Sequence, residues 1–261
     1  MKVALISLDQ QWEDKTANLQ RCNLLAQKSA SLGAEVVVFP EMTLTGFTMN
    51  TEKIAENPDA SESIANLSDI ARKNKVIVVA GVVLKSGSKA ANTLVAFESD
   101  GVEQARYTKI HPFSFAGENE HFNAGNTLQK MPIFDFLAGF TICYDLRFPE
   151  LYSALAKDCN LIINIANWPK RRIQHWRTLL QARAIENQIF IIGVNRTGVD
   201  GNALEYEPSS MVVNPNGEVQ QPHTSDGEID IYELNRDGLD SFLNGFSTKQ
   251  DRLPSLYKQW I

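Results

Sequence analysis

Short runs of apolar residues recur along the chain and alternate with segments of helical periodicity. A continuous apolar run is typical of a strand that is covered on both faces, and a one-sided apolar stripe is typical of a packed helix. Because strands and helices alternate, the sequence predicts an α/β fold with antiparallel hairpins mixed in. The runs predicted as buried strands are residues 3–8, 35–39, 76–84, 161–166 and 189–195, and helices are predicted at residues 17–32, 149–157 and 173–188.

Turn and cap signals supply the other elements. Ser61 or Ser63 can cap a helix, and residues 110–130 lack any period, so they are predicted to form an ordered functional loop. No compositional break suggests a linker, so one domain is predicted over residues 1–261, with residues 235–261 as a C-terminal docking segment. The remaining predicted strands are residues 92–97, 102–108, 209–214, 218–221 and 229–234, with turns at Asp100-Gly101 and Pro215-Asn216-Gly217.

Charge and cysteine usage narrow the class of protein. The net charge is −6, from 25 basic and 31 acidic residues without a basic block, which argues against a nucleic-acid partner. The cysteines Cys22, Cys143 and Cys159 are odd in number and form no C-x-x-C pair, which argues against a disulfide framework and a thiolate metal site. The apolar N-terminal stretch is too short for a signal sequence or a membrane span. We therefore expect a cytoplasmic protein with no membrane partner.

Cys143 occupies an unusual local position. Residues 139–142 read as the end of a buried strand, and Pro149 suits the first position of a helix. A cysteine on a tight strand-to-helix turn is exposed as a nucleophile and has free backbone N–H groups nearby. Burial as a small apolar side chain is the alternative.

Two further residues share this placement at a strand end. Glu41 follows the apolar run 35–39, and Lys109 follows the predicted strand 102–108. The rim of an α/β sheet is where sites assemble, and a carboxylate, an ammonium and a thiol form a coherent set there. The carboxylate can take the thiol proton, and the ammonium can stabilise the thiolate and a developing oxyanion.

The motifs around these residues resemble the signature blocks of the nitrilase superfamily of carbon–nitrogen hydrolases. They are Phe39-Pro40-Glu41, Tyr107-Thr108-Lys109-Ile110-His111, the block 143–150, and two further stretches at 164–169 and 181–187. The resemblance implies a single-domain αββα sandwich with mixed sheets flanked by helices. It also implies Glu41 as general base, Lys109 as oxyanion stabiliser, Cys143 as nucleophile, and a second glutamate in the following loop. Glu118 is the predicted second glutamate, and Glu120 is the competitor.

Within this superfamily the sequence looks similar to the omega-amidase branch, which acts on omega-amides of α-keto dicarboxylic acids. Asn167 and Trp168 are the predicted substrate-binding residues of the block 164–169. A guanidinium group binds a carboxylate bidentately, and Arg147 or the basic run 170–172 could serve. The alternatives are a solvated turn for residues 170–172, and a structural ion pair of Arg147 with Glu150 or Asp145.

The implied mechanism is acyl transfer through a cysteine thioester to a small-molecule amide, and it needs neither a metal nor an organic cofactor. No His spacing typical of a metal site is present. The resemblance also implies a homodimer or higher homo-oligomer. Apolar residues that could pair the subunits, or pack within one subunit, are Leu151, Tyr152, Leu155, Leu179 and Leu180.

Three competing hypotheses remain from the sequence. Cys143 could be activated by His111 in a Cys–His dyad. The chain could be an inactive relative that works by binding or oligomerising, although Glu41, Lys109 and Cys143 are all present. The same machinery could act on a nitrile, a carbamoyl amine or a longer amide.

Overall fold

A computed structural model describes residues 1–260 of the chain. Its strands are β1 Lys2–Ile6, β2 Val36–Val38, β3 Ile77–Ser86, β4 Lys89–Phe97, β5 Glu103–Thr108, β6 Lys130–Ile133, β7 Phe136–Ile142, β8 Leu161–Ala166, β9 Phe190–Asn195, β10 Gly198–Val199, β11 Glu205–Tyr206, β12 Met211–Val213, β13 Thr224–Asp226 and β14 Ile229–Glu233. Its α-helices are α1 Lys15–Ser31, α2 Thr51–Ile54, α3 Glu62–Asn74, α4 Glu118–His121, α5 Pro149–Leu155, α6 Ile173–Asn187, α7 Arg236–Gly245 and α8 Pro254–Tyr257.

The strands form two mixed sheets and a separate small hairpin. The first sheet has the order β13-β14-β1-β2-β3-β4-β5, in which β1, β2 and β3 are parallel. The second sheet has the order β12-β9-β8-β7-β6, in which β7, β8 and β9 are parallel. Strands β10 and β11 pair with each other outside both sheets.

The two sheets pack face to face between two helical layers. Along β1, Val3 and Leu5 belong to the core that also contains Phe140 and Ile163 of the second sheet. The alternate residues of β1 face the layer of α1 and α3, and α5 and α6 cover the outer face of the second sheet. Both faces of the strands are therefore buried, which is why their sequences read as continuous apolar runs. The predicted αββα sandwich is confirmed.

Several predicted elements differ in extent from the observed ones. Strand β6 was not predicted because Pro132 interrupts it, and proline is tolerated here because β6 is an edge strand. The hairpin predicted at residues 209–221 is reduced to β12 and one isolated bridge between Val213 and Val219. The loop 110–130 is interrupted by a 3-10 turn at Ser114–Ala116 and by α4.

The helices after Cys143 carry the apolar residues that could pair subunits or pack within one subunit. Leu151, Tyr152, Leu155 and Leu180 are buried within the subunit, and Leu179 is half-buried. All five pack in the layer that covers the second sheet. These side chains therefore contribute to the core of one subunit.

The C-terminal segment docks in its first half. Leu239 of α7 is buried in the inter-sheet core, and Gln188 is hydrogen-bonded to the backbone of Phe246 and Thr248. Further along, Leu253 and Trp260 are exposed. Of the helices in residues 1–260, none combines the length and the hydropathy needed to span a bilayer.

Candidate active site

The structure brings together the three residues that follow strand ends. Glu41 comes after β2, Lys109 directly after β5, and Cys143 directly after β7. The first two belong to one sheet and the third to the other, so the site lies where the carboxyl ends of facing sheets meet. Lys109 Nζ lies 2.9 Å from Glu41 Oε1, and the charges of both residues act on the Cys143 thiol.

Glu41 is fully buried, and several donors fix its carboxylate. Oε1 accepts hydrogen bonds from Lys109 Nζ at 2.9 Å and Asn92 Nδ2 at 2.8 Å, and Oε2 accepts one from the Asn167 backbone N–H at 2.9 Å. The backbone of Gly81 in β3 packs directly against the backbone of Glu41 and Met42. A Cβ atom at position 81 would lie 2.3 Å from the backbone nitrogen of Met42. Such a contact is far below van der Waals distance, so glycine is needed to hold Glu41 in place.

Lys109 is paired with two carboxylates. Its Nζ also lies 2.8 Å from Glu118 Oε2, and Glu118 is itself buried and accepts the Phe113 backbone N–H at 2.6 Å. Glu120 is exposed on the same short helix. The structure therefore places Glu118, and not Glu120, beside the ammonium group.

Asn92 of β4 is the residue of this cluster that was not singled out from the sequence. Its Nδ2 donates to Glu41 Oε1 at 2.8 Å and to Glu118 Oε1 at 2.9 Å. An amide side chain within a strand that is mostly apolar is the signal that could have found it, because a buried polar group needs a partner.

The turn that carries Cys143 adopts an uncommon backbone conformation. Cys143 has φ 46° and starts a 3-10 turn at Cys143–Arg147. A non-glycine residue at positive φ is strained, and it persists where its surroundings hold it. Asp145 supplies this support through Oδ2, which accepts hydrogen bonds from the Ile142 N–H at 2.9 Å and from the Tyr107 hydroxyl at 2.8 Å. Arg183 adds a second brace by donating to the Leu146 carbonyl.

His111 belongs to the same support. Its backbone N–H and its ring Nδ1 lie 3.0 and 2.8 Å from Asp145 Oδ1, and its ring stacks on Phe148 with centroids 3.7 Å apart. The histidine thus contacts the carboxylate that fixes the turn. The charged groups that act on the Cys143 thiol are Glu41, Lys109 and Glu118.

Burial and charge set the protonation of the site. Burial raises the pKa of the Cys143 thiol well above its usual value, Glu41 raises it further, and Lys109 lowers it in part. Burial lowers the pKa of Lys109, but the charges of Glu118 and Glu41 outweigh this and raise it. The resting site therefore holds a neutral thiol and an ammonium ion, and the thiol needs a base to become a nucleophile.

A cavity of about 200 Å³ leads to Cys143. It is mostly aromatic and cationic, which suits a small polar molecule with a negative charge. Its lining residues are Phe47, Phe113, Phe115, Ala116, Cys143, Tyr144, Arg147, Asn167, Trp168, Pro169, Arg171, Arg172, Leu204 and Tyr206.

The predicted substrate-binding residues all line this cavity, but in different ways. The Asn167 backbone N–H binds Glu41 Oε2, and its Nδ2 donates to the Glu41 carbonyl at 2.6 Å, so it also positions Glu41. Trp168 is buried and forms a wall. Arg147 lies over its ring, with Cζ 5.0 Å from the centroid.

The structure decides between the alternatives for the basic residues. Arg147 forms no ion pair with Glu150 or Asp145, and its Nη2 lies 3.2 Å from His175 Nδ1 instead. Lys170 forms an exposed ion pair with Glu205 at 2.9 Å and is the solvated member of the run. Arg171 and Arg172 line the cavity, and Arg172 lies over the Phe113 ring at 5.3 Å.

Within residues 1–260, no group of three or more His, Cys, Asp or Glu side chains is arranged to hold a metal ion. The carboxylates of Glu41 and Glu118 bind the ammonium group of Lys109 instead.

A buried Glu–Lys–Glu cluster beside a cysteine, between two packed sheets, defines a thiol-dependent hydrolase. The chain belongs to the carbon-nitrogen hydrolase family, whose family model matches residues 2–242. It is 36% identical over 221 residues to the omega-amidase YafV of Yersinia enterocolitica, with 84% of each chain covered. It is 35% identical over 236 residues to the 2-oxoglutaramate amidase of Paenarthrobacter nicotinovorans, with 86% of this chain and 80% of the relative covered.

A solved structure shows the same fold. XC1258 of Xanthomonas campestris, described as a CN-hydrolase superfamily protein with an arsenic adduct in the active site, superimposes with a TM-score of 0.90. The two sequences are 28% identical, and 97% of each chain is covered. The predicted resemblance to the nitrilase superfamily and its omega-amidase branch is confirmed by these relatives.

Proposed function

We propose that this hydrolase is an omega-amidase that converts small α-keto dicarboxylic acid monoamides, such as α-ketoglutaramate and ketosuccinamate, to the acid and ammonia. The observation that carries this proposal is the cavity, where guanidinium groups stand at the entrance to a cysteine backed by a buried base. The similarity to relatives named omega-amidase and 2-oxoglutaramate amidase supports the same substrate class.

The first half of the reaction acylates Cys143. Its sulfur attacks the amide carbon while its proton moves to the Glu41 carboxylate, and a tetrahedral oxyanion forms. The Lys109 ammonium stabilises the oxyanion, because a buried cation near developing negative charge acts in a low dielectric. Glu41 then returns the proton to the amide nitrogen, the C–N bond breaks, and ammonia leaves behind a thioester.

The second half of the reaction hydrolyses the thioester. Glu41 accepts a proton from a water molecule as the water oxygen attacks the thioester carbon. The new tetrahedral intermediate collapses, the C–S bond breaks, and the sulfur regains its proton from Glu41. Glu118 transfers no proton in this mechanism. It holds the Lys109 ammonium in place as a second carboxylate partner beside Glu41.

Recognition of the substrate carboxylate is assigned to the arginines at the cavity. Arg147, Arg171 and Arg172 line it, and none of them forms an ion pair with a carboxylate in residues 1–260. Arg172 is half-buried, and burial, followed by the neighbouring charge of Arg171, lowers its pKa. Mutual repulsion between uncompensated guanidinium groups is relieved by a bound anion, so the cavity favours a carboxylate-bearing amide.

The test is ammonia release from a matched panel of amides. The panel contains α-ketoglutaramate, ketosuccinamate, glutamine and simple aliphatic amides, and the Cys143→Ala variant serves as the inactive control. We expect turnover of the two keto-acid amides and little of the others. Turnover of nitriles alone, or of neutral amides in preference to the keto-acid amides, would contradict the proposal.

We also propose that the protein acts in the cytoplasm as a homodimer or higher homo-oligomer, without a nucleic-acid or membrane partner. Apolar side chains exposed on the C-terminal segment, including Leu253 and Trp260, support self-association. Three free cysteines suit a reducing compartment. Light scattering at several concentrations tests the assembly, and a monomer at all of them would contradict it. Fractionation of the source cells tests the location.

A further inference from the structure

Asn92 lies between the two carboxylates of the buried cluster. Its side chain is 1% exposed, and its Nδ2 reaches Glu41 Oε1 at 2.8 Å and Glu118 Oε1 at 2.9 Å. The orientation of the amide follows from these neighbours, because only an NH₂ group can approach two carboxylate oxygens as a donor. Its Oδ1 is buried and has no hydrogen-bond partner in residues 1–260. Burial of an oxygen without a hydrogen-bond partner costs free energy. The two hydrogen bonds that Nδ2 donates must offset this cost, so they are the reason for an asparagine at this position.

The charges around Glu41 make these bonds important. The charged or titratable groups around it are the Lys109 ammonium, the Glu118 carboxylate that shares this ammonium, and the Cys143 thiol. Two carboxylates therefore share one cation in a buried site. The excess negative charge is stabilised by neutral donors, of which Asn92 is the one that bonds to both carboxylates.

The hydrogen bonds to Glu41 are distributed unevenly over its two oxygens. Oε1 accepts from both Lys109 and Asn92, whereas within residues 1–260 Oε2 accepts only the Asn167 backbone N–H. Oε2 is therefore the oxygen that keeps free acceptor capacity.

We propose that Asn92 is a positioning residue that holds the Glu41 carboxylate and occupies its Oε1, so that the proton of Cys143 moves to Oε2. In the attack the S–H bond breaks, an O–H bond forms at Oε2, and the same proton later leaves with ammonia. The inference rests on the proposed role of Glu41 as general base, and it is independent of which amide is the substrate.

A donor role and a packing role for Asn92 make different predictions for Asn92→Leu. Leu has nearly the shape of Asn but donates no hydrogen bond, so a packing role leaves the pH dependence of acylation unchanged, whereas a donor role moves it to higher pH. Asp has the shape of Asn but replaces the donor by a third carboxyl group. Asn92→Asp should move the pH dependence further, because like charges in one buried site disfavour ionisation.

The experiment measures the pH dependence of acylation by an activated ester, 4-nitrophenyl acetate, through the burst of nitrophenolate. For Asn92→Leu we expect acylation about 10-fold to 100-fold slower, as for loss of hydrogen bonds to a charged group. We also expect the acidic limb of its pH–rate profile to move to higher pH by about one unit, because the carboxylate of the proposed base Glu41 loses a hydrogen bond. For Asn92→Asp the limb moves further in the same direction.

The matched control is Asn164 of β8, which is also fully buried and whose Oδ1 likewise has no hydrogen-bond partner in the described part of the chain. Its Nδ2 donates to the hydroxyl groups of Thr141 and Tyr152 and not to a carboxylate. Asn164→Leu should lower the melting temperature and leave the acidic limb where it is in the wild type.

The outcomes separate this inference from the proposed function. An acidic limb that is unchanged in Asn92→Leu, or a smaller shift in Asn92→Asp than in Asn92→Leu, overturns the role of Asn92. If Asn92→Leu does not fold, Asn92→Asp decides, since a limb at the wild-type position overturns the role. If no keto-acid amide in the panel is hydrolysed, the proposed substrate class is wrong. The ester assay would still test the role of Asn92 in that case.

Discussion

The floor and the mouth of the active site are built differently. At the floor, Glu41, Lys109 and Glu118 are at most 1% exposed, and each charged group has partners within 3.1 Å. At the mouth, Arg147 and Arg172 are half-exposed, Arg171 is exposed, and within the described chain none has an acidic partner.

The difference separates chemistry from recognition. The charged groups of the floor are buried and are held by one another and by neutral donors, so the floor has one geometry. The mouth stands on turns and carries unpaired charge, so it is completed by the substrate. Substitutions at the floor should therefore abolish the reaction for every substrate, whereas substitutions at the mouth should discriminate between substrates.

Removing the nucleophile should have the largest effect. Cys143→Ala leaves nothing to form the thioester, so kcat should fall by about 10⁴-fold or more on all amides. Steady-state ammonia release measures the loss. Residual activity within 100-fold of the wild type would show that water attacks the amide directly.

Removing the cation at the floor should come next. Lys109→Met leaves two buried carboxylates without their ammonium, and breaking a buried pair in this way destabilises a protein by about 3–5 kcal/mol. Urea unfolding measures the change. The control is Lys170→Met, which removes an exposed ion pair and should change stability by less than about 1 kcal/mol. Equal effects of the two variants would contradict the contrast between floor and surface.

Neutralising the mouth should raise KM selectively. For Arg172→Met we expect KM for α-ketoglutaramate to rise about 10-fold to 100-fold, as for loss of a charge-assisted hydrogen bond. Turnover of a neutral amide or of the activated ester should change little. A similar loss on neutral and anionic substrates would place Arg172 at the floor rather than at the mouth.

Alkaline pH should reveal the buried thiol in the stability of the protein. Because burial raises the pKa of Cys143 in the folded protein, the unfolded chain loses this proton at lower pH than the folded protein does. The contribution of the Cys143 thiol to the free energy of unfolding is fully present below the thiol pKa of the unfolded chain, about 8.5. This contribution is lost progressively as the pH rises above that value. Wild type should therefore lose about 2 kcal/mol more than Cys143→Ala in free energy of unfolding between pH 8 and pH 10. Parallel stability curves of the two proteins would contradict this.

Substitution of His111 should have the smallest effect on the chemistry. His111→Asn keeps a polar group that can face Asp145, and Glu41 remains as base, so thioester formation should slow by less than about 10-fold. Burst kinetics measures this step. A loss as complete as that of Cys143→Ala would favour a Cys–His dyad.

The sequence predicted the floor better than the mouth, for physical reasons. Glu41, Lys109 and Cys143 each follow a strand, and the strand ends of packed sheets converge whatever the loops do. Asn92 was missed because its two partners lie far away in the chain, and a single polar residue in a strand does not reveal them.

The mouth depends on contacts that no local pattern encodes. Nothing in the run 170–172 shows that Lys170 pairs with Glu205 while Arg171 and Arg172 line the cavity. The apolar residues Leu151 and Leu155 likewise read equally well as a core or as an interface, and only their packing against the second sheet decides.

The most direct test of the account is mass spectrometry of the enzyme quenched in acid within milliseconds of mixing with α-ketoglutaramate. We expect the acyl group of the substrate to be bound to the peptide that contains Cys143, in an amount that matches the burst of ammonia. A burst of ammonia without acylation of this peptide, or acylation at another residue, would contradict the account.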